Sequence, residues 1–139
     1  MIILDTNVIS EPMKERADPA VAAWLDRQVA ETLYLTATNL SELLAEIELL
    51  PEGRRRRGIA TAMERLLAEL FGARLLAFDR EAAVAYAFMV RRAMAKGFSI
   101  SVADGQIAAV AAVHGFAVAT RDTVPFLAAG LTVINPWES

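Results

Sequence analysis

Five short apolar runs separated by stretches with helical spacing constrain this chain more than any other feature. The runs are Met1–Leu4, Thr32–Thr36, Arg74–Phe78, Phe116–Thr120 and Leu131–Ile134. Between them, Asp18 and Pro19 mark a helix start whose pattern reaches about Ala30. Thr38 reads as the cap of a helix carrying Leu40, Leu43, Leu44 and Ile47 on one face. After an interruption at Pro51 and Gly53, a long helix runs to about Phe71 with Met63, Leu66, Leu67 and Leu70 on its apolar side. Asp79 caps a helix that Gly97 stops, and Ser101 opens one that ends near Gly115. A helical turn at Val124–Ala128 leads to the last run, and residues 135–139 read as irregular. Strands alternating with helices pack as a parallel sheet covered on both faces, so the expected class is three-layer α/β.

The 139 residues suit a single domain over 1–139, and no repeat, linker or composition break divides them. The absence of cysteine excludes a disulfide scaffold, a thiolate zinc site and a cysteine nucleophile. The longest stretch without a formal charge, Gly105 to Thr120, is 16 residues, short of the ~20 apolar residues that cross a bilayer. Asp5 stands where a signal peptide would need its apolar centre. The expectation is a soluble, cytoplasmic domain with no membrane partner.

In open parallel sheets, ligands sit beyond the carboxyl ends of the strands, at a switch in strand order. Asp5 directly follows the first run, and Asp122 lies two residues past the fourth. Glu42, after Thr38, and Asp104, after Ser101, open helices that face the same edge. Four carboxylates on one rim repel one another unless a cation lies among them, and Mg²⁺ takes carboxylates plus waters. Each acid also has a plainer reading. Asp5 can cap the turn Asp5-Thr6-Asn7, and Asp122 can be a turn residue. Glu42 can be a solvated acid pointing away from its helix's apolar face. Asp104 can complete a capping box with Ser101. However, its helix is apolar almost all round and is therefore expected to be buried, and a carboxylate opening such a helix needs a compensating partner.

Other catalytic schemes fail on inventory. The one histidine, His114, sits late in that apolar helix, and nothing nearby forms a nucleophile elbow. No glycine-rich phosphate loop follows any strand. An acid-only site points to metal-activated water. The net charge of −3 hides a segregation: residues 50–97 hold ten basic groups against five acids, and the remainder four against twelve. Arg54, Arg55, Arg56 and Arg57 offer four consecutive guanidinium groups suited to phosphate. They equally suit a solvated helix face.

Taken together, these residues resemble PIN-domain ribonucleases, especially the VapC-type toxins of bacterial toxin–antitoxin pairs. The resemblance rests on Ile3-Leu4-Asp5-Thr6-Asn7-Val8-Ile9-Ser10, Thr38-Asn39-Leu40-Ser41-Glu42-Leu43 and Leu50-Pro51-Glu52-Gly53-Arg54-Arg55. It continues through Ser101-Val102-Ala103-Asp104-Gly105-Gln106-Ile107-Ala108-Ala109, Ala119-Thr120-Arg121-Asp122 and Val133-Ile134-Asn135-Pro136-Trp137-Glu138. It implies a five-stranded parallel sheet flanked by helices, with an acidic pocket at the strand ends. Asp5, Glu42, Asp104 and Asp122 match the acidic positions that bind Mg²⁺ or Mn²⁺ and activate water against an RNA phosphodiester. Thr6, Asn7 and Thr120 match supporting polar positions. One departure stands out: many relatives read Thr-Arg-Asn with an acid three residues later, whereas this chain has Asp122 and then Pro125. The resemblance also implies a homodimer and a small antitoxin, whose DNA-binding domain would carry the complex to DNA indirectly.

Both readings give the same chemistry. Two carboxylate-bound metals about 4 Å apart stabilise the attacking and leaving oxygens of an in-line displacement. Asp5 and Asp104 are the expected primary ligands, with Glu42 and Asp122 completing the shell or holding waters. The arginine run would offset the repulsion between acidic site and RNA. Two alternatives compete. A receiver-like phosphoacceptor domain would want a lysine after a late strand, and none follows Lys96. A catalytically silent PIN-fold partner of an antitoxin or DNA-binding protein would keep the acids without turnover.

Overall fold

The computed structural model describes residues 1–139. Its strands are β1 (Ile2–Leu4), β2 (Leu33–Thr36), β3 (Leu75–Leu76), β4 (Ala117–Ala119) and β5 (Val133–Ile134). Its helices are α1 (Thr6–Ser10), α2 (Pro19–Arg27), α3 (Ala37–Glu48), α4 (Arg54–Arg65), α5 (Arg80–Ala95), α6 (Val102–His114) and α7 (Thr123–Ala128). The strands form one five-stranded sheet in the order β3-β2-β1-β4-β5, with every pairing parallel. The class expected from alternating runs and helices is therefore the one observed.

The period-two pattern of the strands divides the core. Leu4, Leu33, Leu35 and Ala119 turn to one face, where they meet Val8, Val21, Trp24, Leu43, Met63 and Phe71 from α1 to α4 and the turn that follows α4. Ile3 and Val118 turn to the other, against Ala82, Ile107–Ala111 and Phe126 from α5, α6 and α7. The apolar circumference of α6 is explained by its place: Ile107, Ala108, Ala109, Val110 and Ala111 are all fully buried.

Several local readings are corrected. Thr36, not Thr38, caps α3, and Asn39 three residues on completes a reciprocal capping box with it. Thr38 instead lies inside the first turn, where its hydroxyl donates to Gln106 Oε1 at 2.9 Å and ties α3 to α6. Leu44, read as core, is 45% exposed; the buried side of α3 runs through Thr38, Asn39, Leu43 and Ile47. α2 ends at Arg27 because Gln28 turns extended and its side chain donates to the Trp24 carbonyl. The long helix after Gly53 is α-helical to Arg65 and then widens into one π-type turn, Leu66–Phe71, which Gly72 closes at φ 47°. A five-residue helix, α1, stands where the sequence suggested only a turn.

Strand order places the site. β1 is central, with β2 on one side and β4 on the other, so the connections diverge between β1 and β4. That gap is the switch point where parallel sheets bind ligands. The backbone N–H of Asp5 donates to the Ala119 carbonyl at 2.9 Å, holding the ends of β1 and β4 together there.

Gly105 follows Asp104 because α6 has no room for a side chain at that point. A Cβ there would meet the Tyr86 ring at 2.6 Å. Tyr86 is in turn set edge-on to Phe78, with ring centroids 6.1 Å apart. Overpacking of this kind costs about 1–3 kcal/mol, more than the ~1 kcal/mol of helix propensity that alanine returns. Gly105→Ala is therefore expected to lower stability in denaturant melts, and the loss should vanish when Tyr86 is also replaced by Ala. An equal loss in both backgrounds would contradict this contact.

Candidate active site

The C-terminal edge of the sheet bears a cleft of about 330 Å³ with no apolar lining residue. It is lined by five acids, Asp5, Glu42, Glu46, Asp104 and Asp122, together with Thr6, Asn7, Ser10 and Lys14. The four carboxylates expected from sequence are thus brought to one place from four separate regions of the chain.

Asp5 is the best-held member and is 5% exposed. Its Oδ1 accepts from the Thr6 N–H at 2.8 Å, so it does cap α1, as the plainer reading proposed. The same oxygen accepts from the Asn39 side-chain amide at 3.3 Å, and Oδ2 accepts from the Thr120 hydroxyl at 2.8 Å. Burial pushes the Asp5 carboxyl above its ordinary value; the Thr120 and Thr6 hydrogen bonds oppose that, and the charges of Glu42 and Asp122 add to it.

The supporting groups form two relays that converge on Asp5. On the β4 side, the Thr120 hydroxyl accepts from the Asp122 N–H at 3.1 Å and from the Asn7 amide at 3.4 Å while donating to Asp5. Asn7 Oδ1 accepts from the Arg121 N–H at 3.3 Å, which ties α1 to the β4 loop. On the β2 side, Asn39 Oδ1 accepts from the Thr36 hydroxyl at 2.6 Å and the Thr36 N–H at 3.2 Å. Its amide donates to Thr6 Oγ1 at 3.3 Å as well as to Asp5, and Thr6 Oγ1 donates onward to Glu42 Oε1 at 2.8 Å. Glu42 therefore faces the cleft from the helix side that looked solvated.

Asp104 and Asp122 approach from the other two helices. Ser101 Oγ accepts from the Asp104 N–H at 3.1 Å and caps α6, but the Asp104 carboxylate does not return the bond to Ser101 N–H, so the expected capping box is not completed. Burial lifts the Asp104 carboxyl above its ordinary value, the charge of Asp5 lifts it further, Ser101 opposes the shift, and Asp122 adds to it. Asp122 precedes α7 without capping it, which leaves its carboxylate free at the cleft.

Arg54, Arg55, Arg56 and Arg57 are not part of the cleft. They form the first turn of α4, where Arg56 pairs with Glu48 at 2.6 Å. Arg55 lines a neighbouring groove that shares Ser10, Lys14 and Glu46 with the cleft. His114 ends α6, exposed and away from the acids.

Sequence reasoning missed three groups. Asn39 is wholly buried and serves both the α3 cap and Asp5. Its signal was the Thr-x-x-Asn spacing from Thr36. Glu46 lies one helical turn beyond Glu42 and accepts from Ser10 at 3.2 Å. Lys14 is the one cation in the lining.

The sequence model of the PIN domain matches residues 2–130. The chain belongs to the PIN-domain family. It is 49% identical over 138 residues to VapC ribonuclease Y4jK of Sinorhizobium fredii, covering 99% of each chain. It is 43% identical over 138 residues to toxin FitB of Neisseria gonorrhoeae, again covering 99% of each. A solved structure of FitAB bound to an IR36 DNA fragment superposes with a TM-score of 0.95 at 43% identity, over 99% of this chain and 96% of that one.

Within this PIN domain the carboxylates are a standing charge load. A carboxyl whose folded pKa is raised binds its proton more readily in the native than in the unfolded chain. The native state is therefore penalised above that pKa and relieved as pH falls through it. In EDTA, Asp104→Asn is expected to raise Tm at pH 8, with the gain shrinking as pH enters the carboxylate range. A gain independent of pH, or a loss at pH 8, would contradict the charge load.

Proposed function

We propose that this PIN-domain chain, acting as one domain, is a metal-dependent ribonuclease and the toxin of a bacterial toxin–antitoxin pair. The observation that carries the proposal is the buried Asp5 carboxylate at the β1–β4 switch point, facing four more acids in a cleft without apolar lining.

The donor set fits a hard divalent cation. It is all oxygen, it lacks histidine and cysteine, and two of its carboxyls are raised by burial and then by the charge of other acids. No three acidic side chains gather closely enough to clasp an ion on protein atoms alone. That favours Mg²⁺ or Mn²⁺ held by one or two carboxylates with waters completing the shell. Asp5 and Asp104 would hold the ion, and Glu42 and Asp122 would complete the shell or orient its waters. Bound there, the ion supplies positive charge that activates water and polarises a phosphoryl oxygen. Thr120, Thr6 and Asn39 fix the Asp5 rotamer by occupying lone pairs on both its oxygens, so its free lone pairs keep one direction. Asn7 ties this arrangement to the loop that carries Asp122.

RNA as the substrate is supported by full-length similarity to a VapC ribonuclease, and the toxin role by that to FitB. Arg55, on the groove beside the cleft, is the member of the arginine run best placed to meet RNA phosphate. The FitAB structure on DNA supports a partner antitoxin that would bring the complex to DNA, with this chain reaching DNA only through it. A homodimer and a cytoplasmic site of action belong to the same reading. No helix is long and apolar enough to cross a membrane.

The test is cleavage of structured and unstructured RNAs by purified chain in Mg²⁺, Mn²⁺ or EDTA. Activity is expected with metal and not with EDTA. Asp5→Ala should lower it at least about a hundredfold, corresponding to roughly 3 kcal/mol of transition-state stabilisation. Metal binding without cleavage of any RNA would favour the silent binding-partner reading instead.

A further inference from the structure

Glu11 is an acid that the site chemistry leaves unexplained. It begins the 3₁₀ turn Glu11–Met13 that continues α1, and it is 4% exposed. Acidic side chains are almost never buried so fully unless paired. One oxygen, Oε1, accepts from the Asp18 N–H at 3.1 Å, which fixes the carboxylate against the start of α2. The other, Oε2, meets the Lys14 ammonium at 2.9 Å and no other donor. The pair is lopsided: the Lys14 side chain is 56% exposed and its partner only 6%. An ordinary exposed i,i+3 pair leaves both groups in water and contributes little. Here one partner is buried and hydrogen-bonded through its other oxygen, and the other projects outward.

Lys14 projects onto the wall of the carboxylate cleft, where it is the single cation among five acids. It also lines the adjoining groove, whose lining includes Arg55. A polyanion entering the cleft meets repulsion from every other charged group there. A fixed positive charge next to the carboxylates lowers that repulsion. An ammonium has three donors, and the ion pair with Glu11 leaves at least two of them for a phosphate oxygen.

We propose that Lys14 contacts an RNA backbone phosphate beside the scissile bond, and that buried Glu11 is the positioning residue that holds its ammonium at the cleft wall. The inference rests on the ribonuclease reading above. A strand crossing the carboxylates then passes Lys14 and continues toward Arg55. Glu11 touches no substrate; it acts only by restricting Lys14.

The test is steady-state cleavage of one RNA by the full chain in saturating Mn²⁺ over a salt series. Lys14→Gln is expected to raise KM about tenfold with kcat little changed. The slope of log(kcat/KM) against log salt should become shallower by about 0.7, one single-strand phosphate contact. Lys14→Arg should keep both values near native. Glu11→Gln should raise KM in the same direction, and the Glu11→Gln, Lys14→Gln double variant should be no worse than Lys14→Gln alone. That non-additivity is something a merely structural role for Glu11 would not produce. Native KM and salt slope in Lys14→Gln would overturn the phosphate contact while leaving the nuclease intact. A further KM rise from Glu11→Gln in the Lys14→Gln background would overturn the positioning role. A native chain that cuts no RNA would overturn this inference together with the function on which it rests.

Discussion

The Asp5 carboxylate sits at the end of the central strand, almost sealed from water, with both oxygens engaged by hydrogen bonds. Those bonds come from α1, α3 and the loop after β4, which makes one side chain the meeting point of three parts of the fold. Removing an ionised carboxylate from water is costly, and hydrogen bonds offset only part of that cost. The structure answers with neutral donors on every protein side and leaves the remaining direction open toward the cleft. What lies in that direction is more negative charge, not less: Glu42, Asp104 and Asp122 share the same space. An arrangement that is electrostatically unfavourable by itself and rigidly maintained is the expected form of a site completed by a cation.

The fold supplies the geometry that this charge cluster requires. A parallel sheet with β1 at its centre sends every strand's carboxyl end to one edge, so a residue after β1 and one after β4 necessarily become neighbours. Burial of α6 on both sides fixes Asp104 at its first turn, and the Thr38–Gln106 bond fixes the spacing between α6 and α3, which carries Glu42. The cations are arranged differently. Most lie in the middle of the chain, outside the cleft, whereas Lys14 is tethered inside it by a buried acid on the segment that Asp5 begins. Asp5 and the one cation beside the clustered acids are thereby carried by the same short stretch of chain after β1.

Much of this was legible in the sequence, for physical reasons that differ from element to element. The three inner strands were visible because burial leaves short apolar runs, and the half-exposed edge strands β3 and β5 keep such runs as well. α6 was visible because a helix buried all round has no polar stripe. Asp5 and Asp122 were visible because strand ends in this class point to one edge. The cap of α3 was misplaced because Thr36 and Thr38 are equally good capping residues, and only the reciprocal bond with Asn39 separates them. Glu42 looked solvated because helical spacing reports distance from the core and not nearness to another acid. Asn39 and Glu11 were missed because their roles depend on partners that only the tertiary structure brings near: the sheet edge for one, and Asp18 together with the cleft wall for the other.

The central claim is that the mutual repulsion around Asp5 is relieved by a divalent cation. The most direct measurement is Tm of the native chain and of Asp5→Ala over a Mn²⁺ titration, with no RNA present. A ligand bound only by the native state adds RT ln(1 + [L]/Kd), about 2.7 kcal/mol at a hundred times Kd. The account predicts that Tm of the native chain climbs with Mn²⁺ and that Asp5→Ala loses most of this response. A native chain whose Tm does not respond to Mn²⁺, or responds equally with Asp5 removed, would contradict it.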